Sequence, residues 1–221
     1  MENSIKNNLF LINKKIENAC KLYSQEPSRV NLIAVSKTMT SDKIIEAIKL
    51  GCKTFGENYI QEAKEKWVKI KEEFPQIKLH FIGHLQSNKA HEAVDLFDAI
   101  ETLDSKKLAL ELKKEVVKQN KNPQIFIQVN IGEEPQKGGL ELNELEDFIK
   151  FVRDECGLNL VGLMCIPPEA ENPAPYFALL NKLAKKHNLM KLSMGMSADF
   201  ETAIALGSTH IRVGSAIFGK R

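Results

Sequence analysis

Short apolar runs and longer amphipathic runs take turns along this chain. The short runs are VNLIAVS (30–36), CKTFGE (52–57), KLHFIG (78–83), DAIETLD (98–104), QIFIQVN (124–130), LNLVGLM (158–164), KLSMG (191–195) and THIRVG (209–214). Helical patterns lie between them, among them SDKIIEAIKL (41–50), ENYIQEAKEKWVKI (57–70), SKKLALELKKEVVKQN (105–120) and LNELEDFIKFVRDE (142–155). Strands alternating with helices predict a parallel sheet built from right-handed crossovers. Eight such units predict an α/β fold of the closed (β/α)8 TIM barrel type. An open doubly wound sheet is the rival, and the GxGxxG turn of its dinucleotide-binding form is absent.

Ahead of the first strand, Ile5, Leu9, Ile12, Ile16, Ala19 and Tyr23 step by four and three, one face of an extra N-terminal helix that Pro27 closes. After the eighth strand only SAIFGKR remains, too short for a full outer helix, so the N-terminal helix is expected to fill that place. One domain spanning 1–221 follows, with GEEPQKGG (132–139) as the most flexible-looking loop. Composition changes this picture little. The formal net charge is +2 with 27% charged residues, and no basic stripe suggests nucleic acid or an anionic membrane. Cys20, Cys52, Cys156 and Cys165 form no CxxC pair, and there is no apolar leader or long apolar run. A reduced, cytoplasmic protein is expected.

The working face of such a barrel lies at the C-terminal ends of its strands. Lys37 ends the first run, Gly56, Glu57 and Asn58 the second, Gly83, His84 and Gln86 the third, and Asn130 the fifth. SMGMSADF (193–200) and VGSAIFG (213–219) place Ser197, Gly214 and Ser215 before short helical patterns. Each alone reads as an ordinary helix cap. Together, after strands seven and eight, they predict a phosphate cradle. Arg212 interrupts an apolar strand, either facing outward to a helix carboxylate or inward to a ligand. Lys37 alone reads as a solvated lysine. Beside a phosphate site it suits a different role, because burial favours a lysine's neutral, nucleophilic amine. Such an amine forms a Schiff base with an aldehyde, and pyridoxal 5'-phosphate carries both aldehyde and phosphate. No metal site is expected. His80 and His84 stand about 13 Å apart if the strand continues, and His91-Glu92 begins no HExxH.

AVSKT (34–38), FGENYIQE (55–62), HFIGHLQSNK (80–89), GLMCIPP (162–168), LSMGMSADFETAI (192–204) and GSTHIRVGSAIFG (207–219) resemble the signatures of the pyridoxal phosphate homeostasis proteins. The resemblance runs in order over nearly the whole chain. It implies a barrel like that of alanine racemase (fold type III), with pyridoxal phosphate linked to Lys37. It implies that Ser197, Gly214 and Ser215 hold the phosphate, that Asn58 borders the cofactor and that Arg212 faces the pyridine nitrogen. It further implies buffering or delivery of vitamin B6, with apo-enzymes that use the cofactor as expected recipients, and no established turnover. In alanine racemase a tyrosine from a separate β domain supplies a second base. The chain's end at Arg221 leaves no room for such a domain, so a monomer is expected and racemase activity is the alternative. Lys137 falls near where the racemase places a basic group, and reads otherwise as a surface lysine. A phosphate-binding barrel without a covalent cofactor is the third reading.

Overall fold

The computed structural model describes residues 4–219. Eight strands form a closed parallel barrel in chain order. They are β1 (Asn31–Val35), β2 (Thr54–Glu57), β3 (Lys78–Phe81), β4 (Ala99–Leu103), β5 (Gln124–Val129), β6 (Leu160–Cys165), β7 (Lys191–Met196) and β8 (His210–Val213). Closure comes from β1 pairing β8, with Ile33 opposite Arg212 and Ala34 opposite Val213. The eight-run reading of the sequence therefore holds, and the open sheet is ruled out.

Outside the barrel run α1 (Ile5–Leu22), α2 (Ser41–Lys49), α3 (Ile60–Glu73), α4 (Ala90–Leu96) and α5 (Lys106–Gln119). They are followed by α6 (Leu145–Lys150), α7 (Ala174–Lys186), α8 (Phe200–Ala205) and α9 (Ser215–Phe218). Their apolar faces cover the outward residues of the strands, such as Ala34, Phe55, Leu79, Ile100 and Ile211, in one continuous core. Strands covered on both sides have few positions left for polar residues, which is why they read as apolar runs.

The final helix has four residues, and α1 does fill the gap beside it. Asn8 Nδ2 donates to the Ile217 carbonyl at 2.8 Å, and Lys15 reaches Glu201 on α8 at 2.8 Å. The buried stripe is Ile5, Leu9, Ile12, Ile16, Ala19 and Cys20. Tyr23 departs from it. The helix ends at Leu22, and Tyr23 is its exposed C-cap. The run 142–155 is also less regular than its pattern predicts. A single 3-10 turn (142–144) leads into α6, and a wider π turn (151–155) ends it, closed by Cys156 N–H donating to Phe151 C=O at 2.9 Å. Loop 132–139 is folded back on its own strand. Asn130 brackets it, donating to the Glu134 carbonyl at 3.0 Å and accepting from the Glu134 N–H at 3.2 Å.

Inside the barrel the apolar packing is small. Ala99, Phe126 and Met164 form their own cluster, separate from the outer core. The structure also buries polar side chains, Glu101, Ser193, His80, His210 and Arg212, and these lead to the site.

Candidate functional site

A cavity of about 590 Å³ opens at the C-terminal ends of the strands. Lys37, Asn58, Ser197, Arg212, Gly214 and Ser215, drawn from β1, β2, β7 and β8 and the turns after them, all line it. Its other walls are mostly apolar, among them Val35, Ile82, Ile166 and Phe218. Gln86, His84, Asn130 and Lys137 do not line it. Lys137 is instead held outside, 2.6 Å from Glu134 and donating to the Pro167 carbonyl at 3.0 Å.

Lys37 has no hydrogen bond or ion pair among the described residues, although most other lysines near the barrel have one. Its backbone, by contrast, is clamped. Lys66 on α3 donates to the Ser36 carbonyl at 3.0 Å, and Glu62, one turn earlier, accepts from the Thr38 N–H at 2.5 Å. Thr38 stands at φ 65°, a left-handed conformation that a β-branched residue adopts only under constraint. Beneath the clamp, Glu57 is fully buried. Its Oε1 accepts from Ser36 Oγ at 2.7 Å and Trp67 Nε1 at 2.9 Å, and lies 2.8 Å from Lys66 Nζ. The peptide units before and after Lys37 are thus fixed by α3, while its amine is left free at the cavity.

Across the cavity, Ser197 Oγ and Ser215 Oγ lie 3.4 Å apart. The turn carrying Ser197 is closed reciprocally, with Met196 N–H donating to Asp199 Oδ1 at 2.6 Å and Asp199 N–H to Met196 C=O at 3.1 Å. Within α9 the first backbone donor is Ile217, to Gly214 C=O at 2.9 Å, so the N–H groups of Ser215 and Ala216 precede the helical ladder. Gly214 sits close to β1, where an added Cβ would come within 3.2 Å of Val35 Cβ. Asn58 Oδ1 is buried and accepts no hydrogen bond among the described residues.

Arg212 faces inward, which decides between the two orientations open from sequence. It is 4% exposed, with Nη1 donating to Ser193 Oγ at 2.6 Å and Nη2 to the Cys165 carbonyl at 2.8 Å. Its register opposite Ile33 places it deeper in the barrel than Lys37. Ser193 in turn donates to Glu101 Oε2 at 2.5 Å, and Glu101 Oε1 lies 2.6 Å from His80 Nδ1. The His210 ring stacks at 5.8 Å on that of His80. Glu101, His80 and His210 were not singled out as site residues by sequence. The available signal was Glu101 in the middle of DAIETLD, between the aspartates at its two ends, matching the lone arginine inside THIRVG.

This interior network makes stability depend on pH. Burial alone would raise the Glu101 carboxyl, but His80, Arg212 and His210 hold it down at about 2. Burial pushes the His210 imidazole down to about 4 from 6.5, with His80, Lys191 and Arg212 adding to the drop and Glu101 opposing it. Both groups therefore bind protons more readily in the unfolded chain. Stability is fully present above about pH 6.5 and declines as pH falls toward 4 through His210, and from 4.5 toward 2 through Glu101. The His210 contribution is about 3 kcal/mol. Urea midpoints measured from pH 7 to 4.5 are expected to fall, and to fall less in His210→Gln. Equal slopes in the two proteins would refute this origin.

The alanine racemase N-terminal domain family matches residues 12–221. The pyridoxal phosphate homeostasis protein of Vibrio cholerae is 40% identical, over 99% of this chain and 97% of its own length. This chain belongs to the pyridoxal phosphate homeostasis protein family. Among solved structures, PipY of Synechococcus elongatus with PLP bound is 35% identical, with a TM-score of 0.81 over 93% of this chain and 100% of that one. Alanine racemase from Corynebacterium glutamicum is 17% identical, with a TM-score of 0.71 over 98% of this chain and 60% of that one, and shows the shared barrel alone. In this homeostasis-family chain no helix among the described residues is long and apolar enough to cross a membrane, and no group of histidine, cysteine and acidic residues could hold a metal ion.

Proposed function

We propose that this protein binds pyridoxal 5'-phosphate covalently through Lys37 and holds it for release to other proteins, without turning over a substrate. One observation carries the reading. The Lys37 amine has no partner among the described residues and lies at a cavity that also gathers the two serines, Asn58 and Arg212. The residues fit the cofactor. When bound, it supplies an aldehyde for a lysine amine and an electron-withdrawing ring. Ser197, Ser215 and the N–H groups at the start of α9 suit its phosphate. The buried, unpaired Asn58 Oδ1 awaits a donor at the cofactor's edge. Arg212 has only N–H donors, so it suits an unprotonated ring nitrogen, and that ring is a weaker electron sink.

The lining supports a carrier over a racemase. Among the described residues it contains no histidine, carboxylate, thiol or tyrosine. Among the described residues Lys37 is the only lysine in the lining, and an arginine stays charged. Racemisation by two bases needs a second base on the opposite face of the substrate. None of the tyrosines lines the cavity. Tyr23 and Tyr59 are exposed, and Tyr176 is bonded to Glu171.

Protein incubated with the cofactor should turn yellow, and borohydride should fix one adduct, mapped to Lys37 by mass spectrometry. No adduct under these conditions would end the reading. Holo-protein with L-alanine in deuterated water should give no D-alanine, and its formation at enzymatic rates would favour a racemase. Ser197→Ala and Ser215→Ala should each weaken equilibrium retention roughly tenfold or more, the loss expected for a hydrogen bond to a charged group.

A further inference from the structure

The barrel has a second cavity, of about 510 Å³, at its other end. It lies where the strands begin, the face that in such barrels ordinarily serves stability. Its lining is not that of a plain structural floor. Four lysines, Lys71, Lys78, Lys121 and Lys191, share it with two aspartates, Asp95 and Asp98.

Most of the strong acceptors there are already engaged. Asp98 Oδ1 takes Lys78 at 3.0 Å, and Oδ2 takes Lys71 and the Leu79 N–H, each at 2.9 Å. Asp95 Oδ1 takes Lys121 at 2.6 Å. Lys191 has only a neutral partner, Gln124 Oε1 at 2.7 Å. An ammonium carries three donors. Lys78 and Lys191 each make one of these bonds, so both keep donors to spare, and the charge left uncompensated on this face is positive.

Two imidazoles complete the floor. His80 Nδ1 lies 2.6 Å from the Glu101 carboxylate, so that nitrogen carries a proton and Nε2 is the ring nitrogen left without a partner. His210 Nδ1 lies 2.8 Å from Thr209 Oγ1, which also lies 3.2 Å from the Leu192 carbonyl. Neither Nε2 has a partner among the described residues, and both rings line the cavity. Spare ammonium donors beside unpartnered imidazole nitrogens suit one kind of ligand. It bears negative oxygens for the lysines and a hydroxyl that can donate to an imidazole nitrogen or accept from it. A hydrogen phosphate group, free or on a small monoester, offers both.

We propose that the barrel floor is a second binding site, for a small phosphate-bearing anion seated on Lys78 and Lys191 against His80 and His210. The site is separate from the upper cavity, although one polar chain, His80–Glu101–Ser193–Arg212, runs between the two. It does not rest on the cofactor reading. Failure of the Lys37 adduct leaves it standing, and its own failure leaves that reading intact.

The test is a calorimetric titration of inorganic phosphate into the Ser197→Ala/Ser215→Ala protein, whose upper cavity has lost both hydroxyls. One saturable site is expected to remain. Adding Lys78→Ala and Lys191→Ala should weaken it at least tenfold, and the same two lysine changes in the otherwise unaltered chain should leave borohydride fixing the cofactor on Lys37. Lys78→Gln with Lys191→Gln, checked by thermal melting, serves if the alanine pair folds poorly. In the unaltered chain, phosphate should shift the imidazole resonances of both His80 and His210. Glycerol 3-phosphate binding more tightly than phosphate would identify a monoester, and equal affinity would identify phosphate itself. The absence of saturable binding in the serine variant, binding indifferent to the lysine changes, or unmoved imidazole signals would each overturn the site.

Discussion

Lys37→Ala is expected to leave a folded, colourless protein with no borohydride adduct. The side chain makes no hydrogen bond or ion pair among the described residues, so its loss should change stability by about 0.5 kcal/mol or less. Retention, by contrast, should collapse. Covalent attachment disappears, and what remains is reversible binding through the serine hydroxyls and the start of α9. Equilibrium dialysis should then show rapid escape of cofactor that the parent protein keeps. Lys37→Arg should fail in the same way, because a guanidinium stays protonated and cannot attack an aldehyde. A variant lacking Lys37 that still gives a stable adduct at another lysine would refute the assignment. Lys137 is the informative control. It is tied to Glu134 and Pro167 outside the cavity, and Lys137→Ala should leave adduct formation at Lys37 in place.

The difference between Lys37 and the residues around it also explains what the sequence disclosed. The barrel was legible because each strand is buried on both faces, so eight apolar runs stand out between amphipathic ones. Lys37, Asn58, Ser197, Gly214 and Ser215 were legible because they stand just past those runs, where polar residues in a barrel gather at one face. Arg212 was visible as a charge inside an apolar run, but only the closure of β1 on β8 turned it inward. Glu101 gave the same kind of signal. Its meaning depended on Ser193 and Arg212, which are 92 and 111 positions further along, a relation that local spacing does not carry. Tyr23 misled for the opposite reason: helical spacing continued after the helix itself had stopped.

Lys66 was the least legible of all. Its spacing from Glu62 marks an ordinary exposed helix pair, worth a few tenths of a kcal/mol. In the fold its side chain is only 11% exposed and lies 2.8 Å from the fully buried Glu57. Removing one partner of such a pair leaves a buried charge uncompensated, a loss of about 3–5 kcal/mol. Glu57 Oε2 already has no hydrogen-bond partner, so little is left to absorb the change. Lys66→Met is therefore expected to lower Tm by about 10 °C, given roughly 2–4 °C per kcal/mol for a chain of this size. Lys66→Met with Glu57→Gln should recover part of that loss, because the orphaned charge is gone. Stability recovered in the double variant should not restore function fully. The Ser36 carbonyl still lacks its Lys66 donor, so Lys37 should form its borohydride-trapped adduct more slowly than in the parent. Matched adduct rates in the parent and the double variant would show that Lys66 serves folding alone. A slower rate at equal stability would establish that the α3 clamp positions the backbone from which Lys37 reaches the cavity.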